Sequence, residues 1–357
     1  MTGRRGDAVT MARRVLVTGA DTFWGGRTIQ ALEADRTIDV IVGLGMEEPS
    51  VQWDRAEFVR ADQTYSILSR LVRATQVDTV VHTFLLVDSS LASPRRMHET
   101  NVIGTMNLLA ATEASGTVHH VIVKSSGLVY GSSARDPATF DEETPRSGRP
   151  RTEVERSLVE AEGLVADFAG EHPTTTVTVL RFANVLGDEI VTSLSRNLSR
   201  PLCPSILGFD PLVQFVHEHD VVRALEFAFH EKVAGTFNVA GAGRLPWSEV
   251  AAICGTRLLP LPPLRPDLAA APLVRAGLLA FPPELGALLR YGRGMDTGRF
   301  SDAGFAYHYT SAGAVEAFAR QLRLRRNVGH PRHRYTYEHD VEQFFRHSPA
   351  VVRTPAR

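Results

Sequence analysis

Short apolar runs alternate with stretches of helical periodicity from residue 14 to residue 181, and few folds accept that rhythm. Residues 14–18 (RVLVT) read as a strand and 25–34 as a helix. Residues 40–43 (VIVG) and 57–60 are the next strands, and 66–74 carry Ile67, Leu68, Leu71 and Val72 at helical spacing. A strand at 78–82, a helix at 99–114, a strand at 118–124, a helix at 152–169 and a strand at 176–181 follow. Strands covered on both faces are continuous apolar runs, as these are. The alternation predicts an α/β fold: a Rossmann-type doubly wound parallel sheet.

The rhythm breaks after Leu186. Residues 201–211 are loop-rich, 214–216 read as a short strand and 221–229 as a helix, and 258–283 are dense in proline and leucine. The division that follows has a flexible N-terminus at 1–11 and a dinucleotide-binding domain at 12–186. A smaller C-terminal substrate lobe spans 187–322, with about 214–240 returning to the first domain. A basic, mobile tail occupies 323–357.

The first strand and helix are joined by Gly19-Ala20-Asp21-Thr22-Phe23-Trp24-Gly25. Glycine at the strand end permits a tight turn, and glycine at the helix start permits close packing. The free N–H groups of that helix end attract a pyrophosphate. Thr22 places a side chain where backbone would otherwise approach the ligand.

Composition narrows the partners. Lys and Arg number 39 against 40 for Asp and Glu, which gives no reason to expect nucleic acid or an anionic membrane. Two cysteines far apart, Cys203 and Cys254, supply neither a disulfide framework nor a zinc spacing, so a reducing cytoplasm fits. The N-terminal residues lack the apolar core of a signal peptide, and no apolar run reaches the roughly 18 residues of a membrane span. His217 and His219 have only Glu218 and Asp220 beside them, so no metal site is expected.

Ordered motifs add to this pattern. Asn101-Val102-Ile103-Gly104-Thr105-Met106-Asn107-Leu108-Leu109 resembles NVxGTxNLL. Ser125-Ser126-Gly127-Leu128-Val129-Tyr130-Gly131 resembles SSxxVYG, and residues 180–187 resemble LRxxNVYG. Phe215-Val216-His217-Glu218-His219-Asp220 resembles FVHVDD. On these motifs and the glycine turn, the chain resembles the NAD-dependent epimerase/dehydratase family of extended short-chain dehydrogenases/reductases. The resemblance implies NAD or NADP as cofactor. Gly19, Thr22, Phe23, Trp24, Gly25, Asp62, Gln63, His82, Asn101 and Ser126 then lie on its path, with a structural role the safer reading for His82. It also implies a nucleotide-sugar substrate, with Asn184, Arg196 and Asn197 as contacts, and a homodimer formed through the helices at 99–114 and 152–169.

The family's catalytic serine is matched by Ser126, but its Tyr-x-x-x-Lys pair is not matched. With Pro150 and Glu160 setting the register, Arg151 stands at the tyrosine position and Glu155 at the lysine position. Arginine does not titrate in a protein and cannot be the base. Four residues apart, the two would face one cleft or form an ordinary surface ion pair. Lys124, two residues before Ser126 on the same strand face, is the first substitute for the base, and Glu155 the second. The second strand ends in Leu44-Gly45-Met46, with no acidic residue for a ribose, which leaves NAD or NADP open. Two functions follow: hydride transfer on a nucleotide sugar at a rebuilt site, or a catalytically silent binder that regulates or scaffolds a partner.

Overall fold

Every second residue of the first strand goes to a different core. In the computed structural model, which describes residues 13–328, strand β1 (Arg13–Thr18) sends Val15 and Val17 to one side of the sheet and Leu16 to the other. That is the two-residue period of a strand covered on both faces. Along the chain follow α1 (Phe23–Leu32), β2 (Ile38–Gly45), β3 (Glu57–Arg60), α2 (Tyr65–Thr75), β4 (Thr79–His82) and α3 (Pro94–His98). A π-helical turn (Glu99–Ile103), α4 (Gly104–Ser115), β5 (His120–Ser126), α5 (Glu153–Glu171) and β6 (Thr176–Phe182) come next.

The seven-stranded sheet has the order β11-β6-β5-β4-β1-β2-β3, where β11 is Gly235–Val239. All its neighbours are parallel. The chain reverses direction across the sheet between β1 and β4, so the connections after these strands part and leave a crevice at their carboxyl ends. One face carries α2, α4 and α5, with Leu68, Leu108 and Leu158 against Leu16. The other carries α1 and a later helix, α7 (Glu218–Glu231), with Ile29, Leu32, Val221 and Leu225 against Val15 and Val17. Each such side chain contributes about 1.5–3 kcal/mol by leaving water.

Of the remaining elements, the short helix α11 (Gly298–Asp302) packs Phe300 into the sheet core beside α7, and the others form a second core. They are β7 (Asn184–Leu186), α6 (Ser193–Leu198), β8 (Leu202–Ile206), β9 (Leu212–Val213), β10 (Phe215–His217), β12 (Leu245–Pro246), α8 (Trp247–Cys254), β13 (Arg257–Leu261), α9 (Pro266–Arg275), α10 (Pro283–Tyr291) and α12 (Ser311–Val328). Trp247, Phe215, Leu289 and Phe318 lie at its centre. The segment 201–211, expected to be loop, contains β8, which pairs with β13. Both strands carry proline, which is tolerated because the ladder is only two strands wide and leaves edge positions free.

The expected N-terminal segment 1–11 and the tail beyond 328 lie outside the described residues. The tail's first residues do not: 323–328 continue α12, whose apolar face (Val315, Phe318, Ala319, Leu322) is buried in the second core. The helical face carries the chain past the point where basic residues begin.

A polar chain, buried at Ser125, Tyr130 and Asn238 and partly buried at Glu162 and Arg181, ties α5 to the sheet. The Ser125 hydroxyl donates to Glu162, and Arg181 Nη2 donates to Glu162 Oε2 at 2.7 Å. Arg181 Nη1 also donates to the Tyr130 hydroxyl at 2.8 Å, which in turn donates to Asn238 Oδ1 at 2.8 Å. Removing one charge leaves its partner unpaired in a poorly solvated place. Glu162→Ala is expected to lower unfolding stability by about 2–4 kcal/mol, and Glu162→Leu with Arg181→Met to recover most of it. Urea denaturation of the three proteins checks this.

Candidate active site

The glycine turn is fixed by its own backbone before any ligand is considered. Gly19 has φ +71°, and a Cβ there would lie 2.8 Å from the Phe84 backbone. A Cβ on Gly25 would lie 2.1 Å from the Gly19 carbonyl oxygen. Thr22, expected to intrude on the ligand, instead caps α1. Its Oγ1 accepts from the Gly25 N–H at 3.1 Å and donates to the Gly19 carbonyl at 2.6 Å. The N–H groups of Phe23 and Trp24 are then the first-turn donors left for an anion.

The end of β2 gains the carboxylate that its own sequence lacks. Asp21, from the glycine turn, reaches across and accepts from the N–H groups of Met46 and Glu47 at 2.9 and 3.0 Å. Gly45 makes room for it, since a Cβ there would meet the Asp21 carboxyl at 2.8 Å. Sequence reasoning missed Asp21 because the signal sought was a residue on β2 itself.

Lys124 and Ser126 share one face of β5 and line one cavity of about 150 Å³ at the carboxyl ends of β5 and β6. Ser125, between them, points the other way to Glu162. Lys124 is 2% exposed. Its Nζ lies 5.0 Å from the Trp24 ring centre and 6.0 Å from that of Phe182. Among the described residues it makes no hydrogen bond and meets no carboxylate. Burial lowers its pKa from the ordinary 10.5 to about 8. It is one of two lysines in the chain, with Lys232, and the remaining basic residues are all arginine. Ser126 Oγ accepts from the Leu128 N–H at 3.3 Å. Asn184, also on the cavity wall, donates to the Gln214 carbonyl at 3.0 Å.

Helix α5 does not present the pair expected of it. It starts at Glu153 with Thr152 as its cap, so Arg151 precedes the helix and is exposed. Glu155 is 3% exposed and ion-paired with Arg146, and it accepts the Arg151 backbone N–H at 2.9 Å. The two neither face a common cleft nor form a surface ion pair with each other. Glu155 is spent on Arg146 and does not line the cavity, which removes it as a base. Glu160, which set the register, lies beside His98. The glutamate bonded to Ser125 and Arg181 is instead Glu162. In any register the helix offers neither tyrosine nor lysine. Val154 and Leu158, which face the sheet, are wholly buried.

Several expected contacts are structural instead. His82 is buried between Thr18 Oγ1 (3.2 Å) and Thr105 Oγ1 (2.9 Å). Burial, with Lys124 nearby, lowers its pKa to about 3, so it stays neutral. Asn101 bonds the Leu86 backbone at both ends (2.7 and 2.9 Å) and Ser157 Oγ at 3.0 Å. It therefore holds the connection after β4 against α5. Asn197 pins the Ala280 backbone through two hydrogen bonds. Arg196 donates to Ser90 and Ser193 rather than into the cavity. Asp62 is exposed after β3 and accepts from the Thr64 N–H, while Gln63 lies against Gly104. Away from the cavity, His219, Asp220 and His308 bring ligand atoms within 4.8 Å of one another. Asp220 is committed to Arg223 and to the His308 and Tyr309 N–H groups.

A parallel sheet with a crevice at its switch point, a glycine turn beneath it and a serine at the end of β5 define a dinucleotide-binding α/β class. Residues 15–240 match the NAD dependent epimerase/dehydratase family, and the chain belongs to it. An uncharacterized protein of Mycobacterium tuberculosis (strain ATCC 25618 / H37Rv) is 36% identical over 318 residues, covering 86% of this chain and 83% of its own. UDP-glucose 4-epimerase of Neisseria meningitidis serogroup C is 26% identical over 186 residues, covering 49% of this chain and 54% of the relative. The fold is shared with UDP-glucose 4-epimerase of Thermotoga maritima, solved with UDP-glucose (TM-score 0.66, 19% identity, 87% of this chain and 99% of the other). It is also shared with dTDP-glucose 4,6-dehydratase of Streptomyces venezuelae, solved with NAD (TM-score 0.67, 22% identity, 88% and 98%).

The lowered Lys124 pKa carries a stability cost. Between pH 8 and 10.5 the unfolded chain holds this proton and the folded chain does not, so stability rises with pH across that window. Below it the folded state is disfavoured by about 3 kcal/mol. Lys124→Met is expected to raise the melting temperature at pH 7 and to lose most of that advantage near pH 10.5, as thermal unfolding at the two pH values would show.

Proposed function

We propose that this chain binds NAD(H) in the crevice above β1 and β4 and interconverts a hydroxyl and a carbonyl on its substrate, with Lys124 as the proton-exchanging group. The observation that carries this reading is a buried lysine without a carboxylate, beside Ser126 in the family's reaction cleft. The residues present suit the cofactor: the Phe23 and Trp24 N–H groups would receive its pyrophosphate, and Asp21 would receive the adenosine ribose. When bound, the nicotinamide would supply the acceptor or donor for hydride. Lys124, neutral in a large fraction near pH 8, takes the proton from the substrate hydroxyl, and Ser126 holds the same oxygen by a hydrogen bond. Arginine, which fills nearly every other basic position, would not release a proton there.

The named relatives make a nucleotide sugar the first substrate class to test. The absence of tyrosine and lysine from α5 favours the second reading, a silent binder. Turnover separates the two. Exposed Ile103 and Met106, on the helical run around α4, support a homodimer through that run. No helix among the described residues is long and apolar enough to cross a membrane.

Turnover is expected to rise with pH through about 8, as the amine loses its proton. Lys124→Met should lower kcat by roughly 100-fold or more and leave NAD(H) binding within a few-fold. A pH–rate profile with calorimetric binding measures both, and unchanged kcat in the variant refutes the assignment. Asp21→Asn is expected to weaken NAD(H) by about tenfold, with NADP(H) affected less, because a carboxylate recognises the free ribose hydroxyl and repels its phosphate.

A further inference from the structure

The cavity beside Lys124 is walled mainly by hydrocarbon. Leu128, Val185, Ile190, Leu194, Leu285 and Leu288 line it. At its edge the apolar lining continues to Leu91 and Val191, which are 57% and 59% exposed. Four charged residues also line it: Asp88, Glu284, Lys124 and Arg293.

The two carboxylates are fixed in place by contacts between the lobes. Asp88, in the connection after β4, accepts from the N–H and hydroxyl of Ser193 on α6, both at 2.8 Å, and from Ser90. Burial would raise its pKa, yet these hydrogen bonds hold it below the usual carboxylate value, so it is an anion. Glu284, on α10, accepts from the N–H and hydroxyl of Ser89 at 2.9 and 2.8 Å. Arg293 is committed to the Gly131 carbonyl at 2.8 Å and Ser132 Oγ at 3.1 Å. Lys124 is then the one cationic residue of the lining with no polar partner. A diphosphate entering here would meet a fixed anion at Asp88 and no surplus of cations, and charges in such a site cost far more than in water. Arg196, which the resemblance makes a nucleotide-sugar contact, gives its Nη2 to Ser90 and Ser193 and does not line this cavity.

We propose that this cavity takes an uncharged alcohol or ketone with a hydrocarbon body, not a sugar nucleotide. The inference rests on the function proposed above for which end reacts: the oxygen lies at Lys124 and Ser126, and the hydrocarbon lies along Ile190, Leu194, Leu285 and Leu288 toward Leu91 and Val191.

The test uses the full chain, with and without NAD+, and the neutral fluorescent probe N-phenyl-1-naphthylamine. Saturable binding is expected, displaced by a long-chain secondary alcohol and by the corresponding ketone, and not by UDP-glucose or UDP. Leu91→Asp and Val191→Asp alter exposed side chains and should leave the melting temperature unchanged while weakening the probe by about tenfold. Displacement of the probe by UDP-glucose, calorimetric binding of UDP-glucose to the unaltered protein, or probe binding indifferent to both substitutions would each overturn the inference. Cofactor binding is read separately by calorimetry with NAD+ alone. Absence of NAD+ binding with the probe result intact sinks the proposed reaction and leaves the ligand class standing. NAD+ binding together with UDP-glucose displacement does the reverse.

Discussion

Helix α1 comes so close to β1 that a methyl group at residue 25 would overlap the Gly19 carbonyl oxygen, 2.1 Å away. Three features of the site depend on that contact. It places Thr22 where its hydroxyl closes the helix end. It brings Asp21 within reach of the end of β2. It also lays Trp24 over Lys124. The glycines would be needed for this packing even in a protein that bound nothing, so the turn by itself indicates geometry more than chemistry. The chemical content comes from the residues the turn positions.

Lys124 and α5 divide the work differently from the pattern the family leads one to expect. The polar groups of α5 are used for cohesion: Glu155 with Arg146, Ser157 with Asn101, Glu162 with Ser125 and Arg181. Val154 and Leu158 fill the sheet-facing side with hydrocarbon. A helix so committed has no group to offer a substrate. Lys124, buried and without a hydrogen bond among the described residues, sits on the strand instead, among aromatic rings, where its charged form is penalised. A lysine kept there in a chain of arginines is a costly choice for stability, and the proton-exchanging role proposed for it would account for that cost.

Much of the fold was legible because it follows from periodicity. Continuous apolar runs and the glycine turn led to the parallel sheet and its crevice, and the ordered motifs led to the family. Strand β8 was hidden by Pro204 and by the lack of a long run, since a two-stranded ladder leaves little pattern. The site was less legible. Lys124 and Ser126 were readable from strand alternation, because side chains two apart share a face. Asp21 was not, because its role depends on how far α1 and β2 approach one another. Asn101, Asn197 and Arg196 looked like ligand contacts because they are polar residues in family motifs or near the cleft. Asn101 and Asn197 are taken up by backbone and, for Asn101, by Ser157, while Arg196 gives Nη2 to two serines; sequence spacing does not record where a hydrogen bond is spent.

The same distinction bears on the cleft between the lobes. Asp88 and Glu284 are carboxylates beside a reaction cavity, a setting that ordinarily suggests acid–base work. Their partners argue otherwise: Ser193 belongs to the second lobe and holds Asp88 of the first, while Ser89 of the first holds Glu284 of the second. The pair clamps the two lobes from opposite sides and fixes the cavity's width. On the ligand class proposed above, Asp88, held as an anion by its hydrogen bonds, would also disfavour a phosphate while leaving the hydrocarbon walls untouched. Asp88 would then serve both lobe cohesion and the proposed ligand selection, and neutralising it to admit a sugar nucleotide would also loosen the cavity that holds the ligand.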